Sequence, residues 1–212
     1  MKSFFKALVR SPSGLIGFSL LGLLIFAAVF APLVCKYTPE HQNLANRLLP
    51  PLTTKGEDFY LLGTDELGRD VFSRLLYGSR ISLIVGPLSV LFGALVGVPF
   101  GLIAGYYRGF LDRLIMWFVD VQLAFPMLVI AIALSAVFSR SLTSLVLILA
   151  ITSWLYFARV VRATVLSLRK MEFVEAEKMV GASDFNIIFK HILPNVVSPI
   201  IVLASTESAR RI

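Results

Sequence analysis

Glu175-Ala176-Glu177-Lys178-Met179-Val180-Gly181, closed further on by His191-Ile192-Leu193-Pro194, forms a charged island between long apolar runs. Charged side chains are expensive in hydrocarbon, so an island of this kind lies outside a bilayer when its flanks lie inside one. The composition says that the flanks do. Hydrophobic residues make up 57% and charged residues 16% of 212 positions, against roughly 45–50% and about 25% in soluble domains. Mean hydropathy is +0.83. With so little polar surface, the bilayer is the expected solvent and an all-α polytopic membrane protein the expected fold class.

Working outward from the island, uncharged windows mark the spans. Ser11 to Cys35 is long enough for one helix across about 30 Å of hydrocarbon, and its apolar core exceeds the 7–15 residues of a cleaved signal's central region. A retained first helix over 14–35 is therefore expected, after a cytoplasmic N-terminus over 1–13. Ile81–Tyr107 is the second window, Leu114–Ser139 the third and Ser141–Ala158 the fourth. Only Arg140 and two serines separate the last two, so they form a tight antiparallel pair. Val196–Ala204 starts a fifth run that stops too soon to cross, with Glu207, Arg210 and Arg211 in its polar tail, 196–212. The segments 36–80 and 159–195 are the two long loops.

Within the second window, Gly93, Gly97, Gly101 and Gly105 recur every four residues and place a glycine face on one side of the helix, where another backbone can approach. Pro87 and Pro99 are expected to bend it. Asp120 and Pro126 interrupt the third window. Asp120 is an intramembrane acid that either pairs with an arginine of its own chain or contacts a substrate. Pro126 breaks the hydrogen-bond ladder and makes a bent, pathway-lining helix plausible. Met116, Trp117, Phe118 and Met127 read as packing.

Lysine and arginine counts orient the set. With the N-terminus inside, the cytoplasmic segments hold Lys2, Lys6, Arg10, Arg108, Arg113, Arg159, Arg162, Arg169, Lys170, Lys178 and Lys190. The outer segments hold Lys36, Arg47, Lys55, Arg69, Arg74, Arg80 and Arg140, six of them in a loop that also carries six acids. That distribution puts the N-terminus and 159–195 in the cytoplasm. The net charge of +7 is thus a topology signal, and nucleic acid is not an expected partner.

In the cytoplasmic loop, Met171–Val180 predicts a short helix with Gly181 at its C′ position, where φ > 0 is needed. Ser183 can cap a second helix, Phe185–Ile192, which Pro194 helps to stop. Phe173, Ala176 and Val180 share a stripe for a partner or for the chain's own helices. The rival is an amphipathic helix on the headgroups, which Glu172, Glu175, Glu177 and Asp184 disfavour.

The island resembles the EAA loop of binding-protein-dependent ABC-importer permeases. Glu175, Ala176, Gly181, Leu193 and Pro194 match the motif, while Glu177 and His191 depart from it. The HILPN run is similar to the dipeptide/oligopeptide/nickel branch. So are Leu62-Gly63-Thr64-Asp65-Glu66-Leu67-Gly68-Arg69-Asp70 and the following Ser73–Arg80, which look like its C-type subunit. The resemblance implies a coupling helix that docks on a separate ABC ATPase, with the chain supplying half of a pathway for di- or oligopeptides or nickel. It also implies a B-type second permease, an extracytoplasmic substrate-binding protein, and an outer-face role for Gly63, Thr64, Asp65, Gly68, Arg69 and Asp70. From the residues alone, Gly63–Asp70 lacks the calcium-loop pattern and reads as a turn held by Asx hydrogen bonds and an Asp–Arg pair. Family members carry six helices, so the five expected here suggest a C-terminally truncated chain.

No catalytic set is present in the sequence: His41 and His191 are assigned to opposite sides, and there is no G-x-S-x-G, H-E-x-x-H or Gly-Lys dipeptide. If transport is ATP-driven, as the resemblance implies, ATP and its Mg belong to a partner ATPase, and no cofactor or metal is expected on this chain. The lone Cys35 excludes an intrachain disulfide. A stand-alone channel or secondary transporter is the alternative function, though secondary carriers favour inverted repeats that this sequence lacks.

Overall fold

The computed structural model describes residues 11–211. Lys2, Lys6 and Arg10, which helped to orient the chain, lie outside those residues. Two compact units are present, Met1–Ile84 and Val85–Ile212.

The first unit opens on α1 (Pro12–Val34), capped by Ser11, whose Oγ accepts from the Gly14 N–H at 3.1 Å. The following loop carries one turn of 3₁₀ helix, Leu44–Asn46, and a small antiparallel hairpin of β1 (Thr53–Lys55) and β2 (Asp58–Tyr60). Lys36 Nζ ties the end of α1 to this hairpin through Asp58 Oδ1 at 2.8 Å. The unit ends in the first turns of α2 (Val71–Tyr107), which starts well before the uncharged window 81–107 and takes Arg74 and Arg80 into the helix.

The second unit holds the rest of α2, then α3 (Gly109–Ala124), α4 (Met127–Val137), α5 (Leu142–Leu168), α6 (Glu172–Met179) and α7 (Asp184–Ala209). Gly14–Val34, Val71–Tyr107, Leu142–Leu168 and Asp184–Ala209 are each long and apolar enough to cross a bilayer. The third window is not one straight span: α3 and α4 meet at 91°. Pro126 has no N–H for the ladder and drives Phe125 into extended backbone, φ −90°, ψ 136°. Counted as one bent span, the pair brings the total to five.

Two expectations need correction. Pro194 does not stop a helix at Ile192. Helix α7 continues through it to Ala209, because Ile187–Ile192 form a π-helical turn in which the Leu193 N–H reaches back five residues to the Ile188 carbonyl. Asn195 Nδ2 then donates to the nearby His191 carbonyl at 2.7 Å. The fifth run is consequently not too short to cross. Its terminal charges are also paired: Glu207 and Arg211 side chains are each 5% exposed and 3.4 Å apart. Arg211 Nη1 donates to the Leu149 carbonyl at 2.8 Å, and Arg210 reaches Glu207 at 3.1 Å.

The glycine face packs as its spacing predicts. A Cβ added at Gly93 would lie 2.9 Å from Ser153 Cβ, at Gly97 2.6 Å from Phe157 Cβ, at Gly101 2.6 Å from the Ala158 carbonyl oxygen, and at Gly105 2.7 Å from Val165 Cβ. Helices α2 and α5 therefore touch along their backbones, and α2 runs unbroken past Pro87 and Pro99. Below this zipper sits the main core, in which Leu102, Tyr106, Val161, Val165, Val174, Ile187, Ile192 and Val196 from α2, α5, α6 and α7 bury one another. Most other large apolar side chains on the long helices remain exposed, as lipid-facing helices require.

Candidate functional site

Helix α6 and the turn into α7 form the best-defined candidate. The α6 N-terminus carries Glu172 and Glu175, and its last turn Lys178, charges that complement the helix dipole. Gly181, at φ +83°, ends it. The Ala182 N–H bonds the Glu177 carbonyl at 3.0 Å and the Gly181 N–H bonds that of Lys178 at 3.1 Å, the paired bonds of a Schellman cap. Ser183 Oγ then caps α7, accepting from the Asn186 N–H at 3.4 Å.

One residue roots α6 in the body of the protein. Val174 is fully buried in the main core, whereas Phe173, Ala176 and Val180, the stripe read from sequence, stay exposed. Met179 is 87% exposed, Val180 86% and Phe185 67%. They make an apolar tip at a charged end of the bundle. Glu175, Ala176 and Gly181 come together in α6 and its cap, but Leu193 and Pro194 do not join them. Leu193 packs on the core, and Pro194 sits exposed on α7. The two departures from the motif, Glu177 and His191, face each other at 3.4 Å between Oε1 and Nε2.

Asp120 pairs with Arg159 of α5, and both side chains are more than half exposed. A second acid, Asp112, was not singled out in the sequence although it stands one turn into α3. It forms a two-pronged pair with Arg162, Nη2–Oδ2 2.8 Å, at 14% exposure for the carboxylate. Pro126 lines a cleft of about 210 Å³ at the α3–α4 bend with Gln122, Phe125, Thr152 and Tyr156. Gln122 bridges helices there, donating to the Ile151 carbonyl at 2.7 Å and accepting from Trp154 Nε1 at 3.0 Å. Asp120 is not among the cleft residues.

In the first unit, Gly63–Asp70 is a tight turn of the expected kind. Asp65 Oδ1 accepts from the Leu67 and Arg69 N–H groups, each at 2.9 Å, and Oδ2 takes Arg69 Nε at 2.8 Å together with Arg74. Partial burial opposes ionisation of Asp65, but the Arg69 and Leu67 hydrogen bonds outweigh it and hold the carboxyl at about 2. Asp70 Oδ2 caps α2 through the Ser73 N–H at 2.9 Å, and Thr64 Oγ1 accepts from the Leu49 N–H at 2.9 Å. At Gly68, φ +68°, a Cβ would run into the Asn43 carbonyl. Each of the six residues is thus used in holding the loop, and among the described residues no acid, His or Cys cluster is arranged for a metal.

Residues 97–210 match the family described as the binding-protein-dependent transport system inner membrane component. The chain belongs to this family. Residues 1–51 match the N-terminal TM domain of oligopeptide transport permease C. The chain is 41% identical to the dipeptide transport system permease protein DppC of Alkalihalophilus pseudofirmus over 201 residues, 95% of this chain and 64% of that protein. It is 42% identical to the glutathione transport system permease protein GsiD of Pectobacterium atrosepticum over 183 residues, 86% of this chain and 60% of that one. A di/tripeptide permease protein, DppC of Pseudomonas aeruginosa, is 36% identical over 97% of this chain and 68% of its own length. The chain spans less than two thirds of the first two relatives. It is a C-type peptide-permease relative and a multi-pass membrane protein, which is what the island and the Gly63–Asp70 motif led the sequence to predict.

Proposed function

We propose that this chain forms half of the translocation pathway of an ATP-driven importer for small peptides, and that α6 docks in a groove on a partner ATPase. The observation that carries the reading is the tip of Met179, Val180 and Phe185, apolar, exposed, and anchored to the spanning helices through Val174. A soluble partner supplies the cover that such a patch otherwise lacks. Orientation by basic residues puts the tip and the N-terminus in the cytoplasm, where ATP is available. The partners are a B-type permease, ABC ATPase subunits holding ATP and Mg, and an extracytoplasmic substrate-binding protein. Relatives named for dipeptides, di/tripeptides and glutathione favour peptides over nickel as cargo.

Rigid-body motion of the packed spans would supply alternating access: ATP closes the ATPases, their groove displaces α6, and α6 carries α5 and α7 with it. The test uses Gly181→Trp and Val180→Asp in the assembled transporter. Gly181 has no atom within 4 Å of an added Cβ, so the bulk falls on the docking face; the left-handed φ adds about 1–2 kcal/mol of local strain. Val180→Asp adds no such strain. Both should leave insertion intact while uptake and substrate-stimulated ATP hydrolysis fall together by about tenfold or more. Wild-type rates in both variants would sink the docking role. A tagged chain that never retains an ATPase would favour the stand-alone transporter.

A further inference from the structure

Where α2, α5, α6 and α7 converge, one side chain touches all of them. Tyr106, at the end of α2, is 3% exposed. Its hydroxyl donates to Asp184 Oδ1, in the first turn of α7, at 2.6 Å. Its carbonyl accepts from Arg169 Nη1, just past α5, at 2.6 Å. The Arg169 guanidinium lies 5.6 Å from the centre of its ring, and Lys178 Nζ of α6 5.1 Å. Tyr107 packs edge-on against it at 5.2 Å.

We propose that Tyr106 is the positioning residue that latches the α6–α7 turn to the spanning helices, with Asp184 as its catch. The glycine face makes α2 and α5 one stiff pair, so whatever holds α7 to Tyr106 holds it to that pair. Helix α6 is only eight residues long, and besides the latch it is held by buried Val174, by Lys178 over the Tyr106 ring and by the Glu177–His191 contact. A displacement at the turn therefore reaches α2 through the Tyr106–Asp184 bond before it reaches the apolar core. The acceptor of this hydroxyl is a charged carboxylate, which makes the bond one of the stronger class. This latch rests on the importer reading for its purpose but not for its existence.

Tyr106→Phe deletes the hydroxyl and keeps the ring, its packing and both cation contacts. The first measurement is electron-spin distance spectroscopy on the membrane-inserted chain, with Cys35→Ser and labels at Ala163→Cys of α5 and Val180→Cys beyond α6, both exposed. One narrow distance is expected with Tyr106 intact. Tyr106→Phe should raise the population of a second, displaced α6 by about tenfold or more, the factor set by losing a hydrogen bond to a charged acceptor. Asp184→Asn reads the bond from the other side, and the double variant should be no worse than the worse single. The second measurement is peptide taken up per ATP hydrolysed by the assembled transporter, expected to fall severalfold in Tyr106→Phe while ATPase retention is unchanged. A distance distribution superimposable on wild type in both single variants, or additive effects in the double, would overturn the latch. A wild-type assembly that neither retains an ATPase nor takes up peptide would instead overturn the importer reading, and the spin distances would still decide the latch.

Discussion

Asp65 gathers more of the first unit's order than any other side chain of its loop, because its two oxygens take four donors from Leu67, Arg69 and Arg74. Asp65→Asn replaces a charged acceptor by a weaker one and should cost roughly 1.5–3 kcal/mol of local stability, read as faster amide exchange at Leu67 and Arg69. The same carboxyl sets a pH dependence. Its folded value of about 2 lies below the ordinary 3.8, so its contribution is complete above about pH 4 and is lost as pH falls towards 2. Limited proteolysis of the loop should accelerate across that window in wild type, and be flat there in Asp65→Asn. This turn was legible in the sequence because Asx and Arg chemistry is local. Tyr106, Val174 and Asp112 were not. Val174 lies one residue from the stripe picked out by spacing, and Tyr106 was hidden at the end of an apolar window. Their roles come from neighbours dozens of residues away.

At the scale of elements, the glycine face makes a contrast that can be measured. Gly97→Leu forces a side chain into Phe157 and the Trp154 backbone and should destabilise by about 1–3 kcal/mol or separate the helices, seen as a lower melting temperature in detergent. Gly22→Ala in α1, with nothing within 4 Å of its Cβ, should be neutral within about 0.5 kcal/mol. The two ion pairs that join α3 to α5 offer a second contrast. The Asp112–Arg162 pair, two-pronged and half-buried, should show a coupling of about 1–3 kcal/mol in a double-mutant cycle. Asp120–Arg159, more than half exposed on both sides, should show about 0–1 kcal/mol in water. The apolar windows revealed where the helices are, because hydrocarbon length dictates it. They did not reveal where the helices end. Charged ends such as Arg159 and Arg162 continue α5 by pairing with α3, and a π turn carries α7 through Pro194.

For the molecule as a whole, the chain is a permease-family membrane protein, and within its second unit the glycine zipper packs α2 on α5 while Val174 anchors α6 to the same core. The family is decided by residues 97–210, the stretch that contains the tip and all of the zipper glycines but Gly93. Sequence spacing located the tip, but which of its side chains faces inward had to wait for the packing of Val174. The central claim is that this tip meets an ATPase, and the most direct measurement is site-directed crosslinking in membranes holding the co-expressed importer. In a Cys35→Ser chain, a cysteine-linked photo-crosslinker is placed at Met179 or Val180, and as a control at Val137, 82% exposed on the helix that precedes α5. The expected result is an adduct with the ATPase subunit from Met179 and Val180 and none from Val137. No adduct from either tip position, or an equal yield from Val137, would contradict the claim.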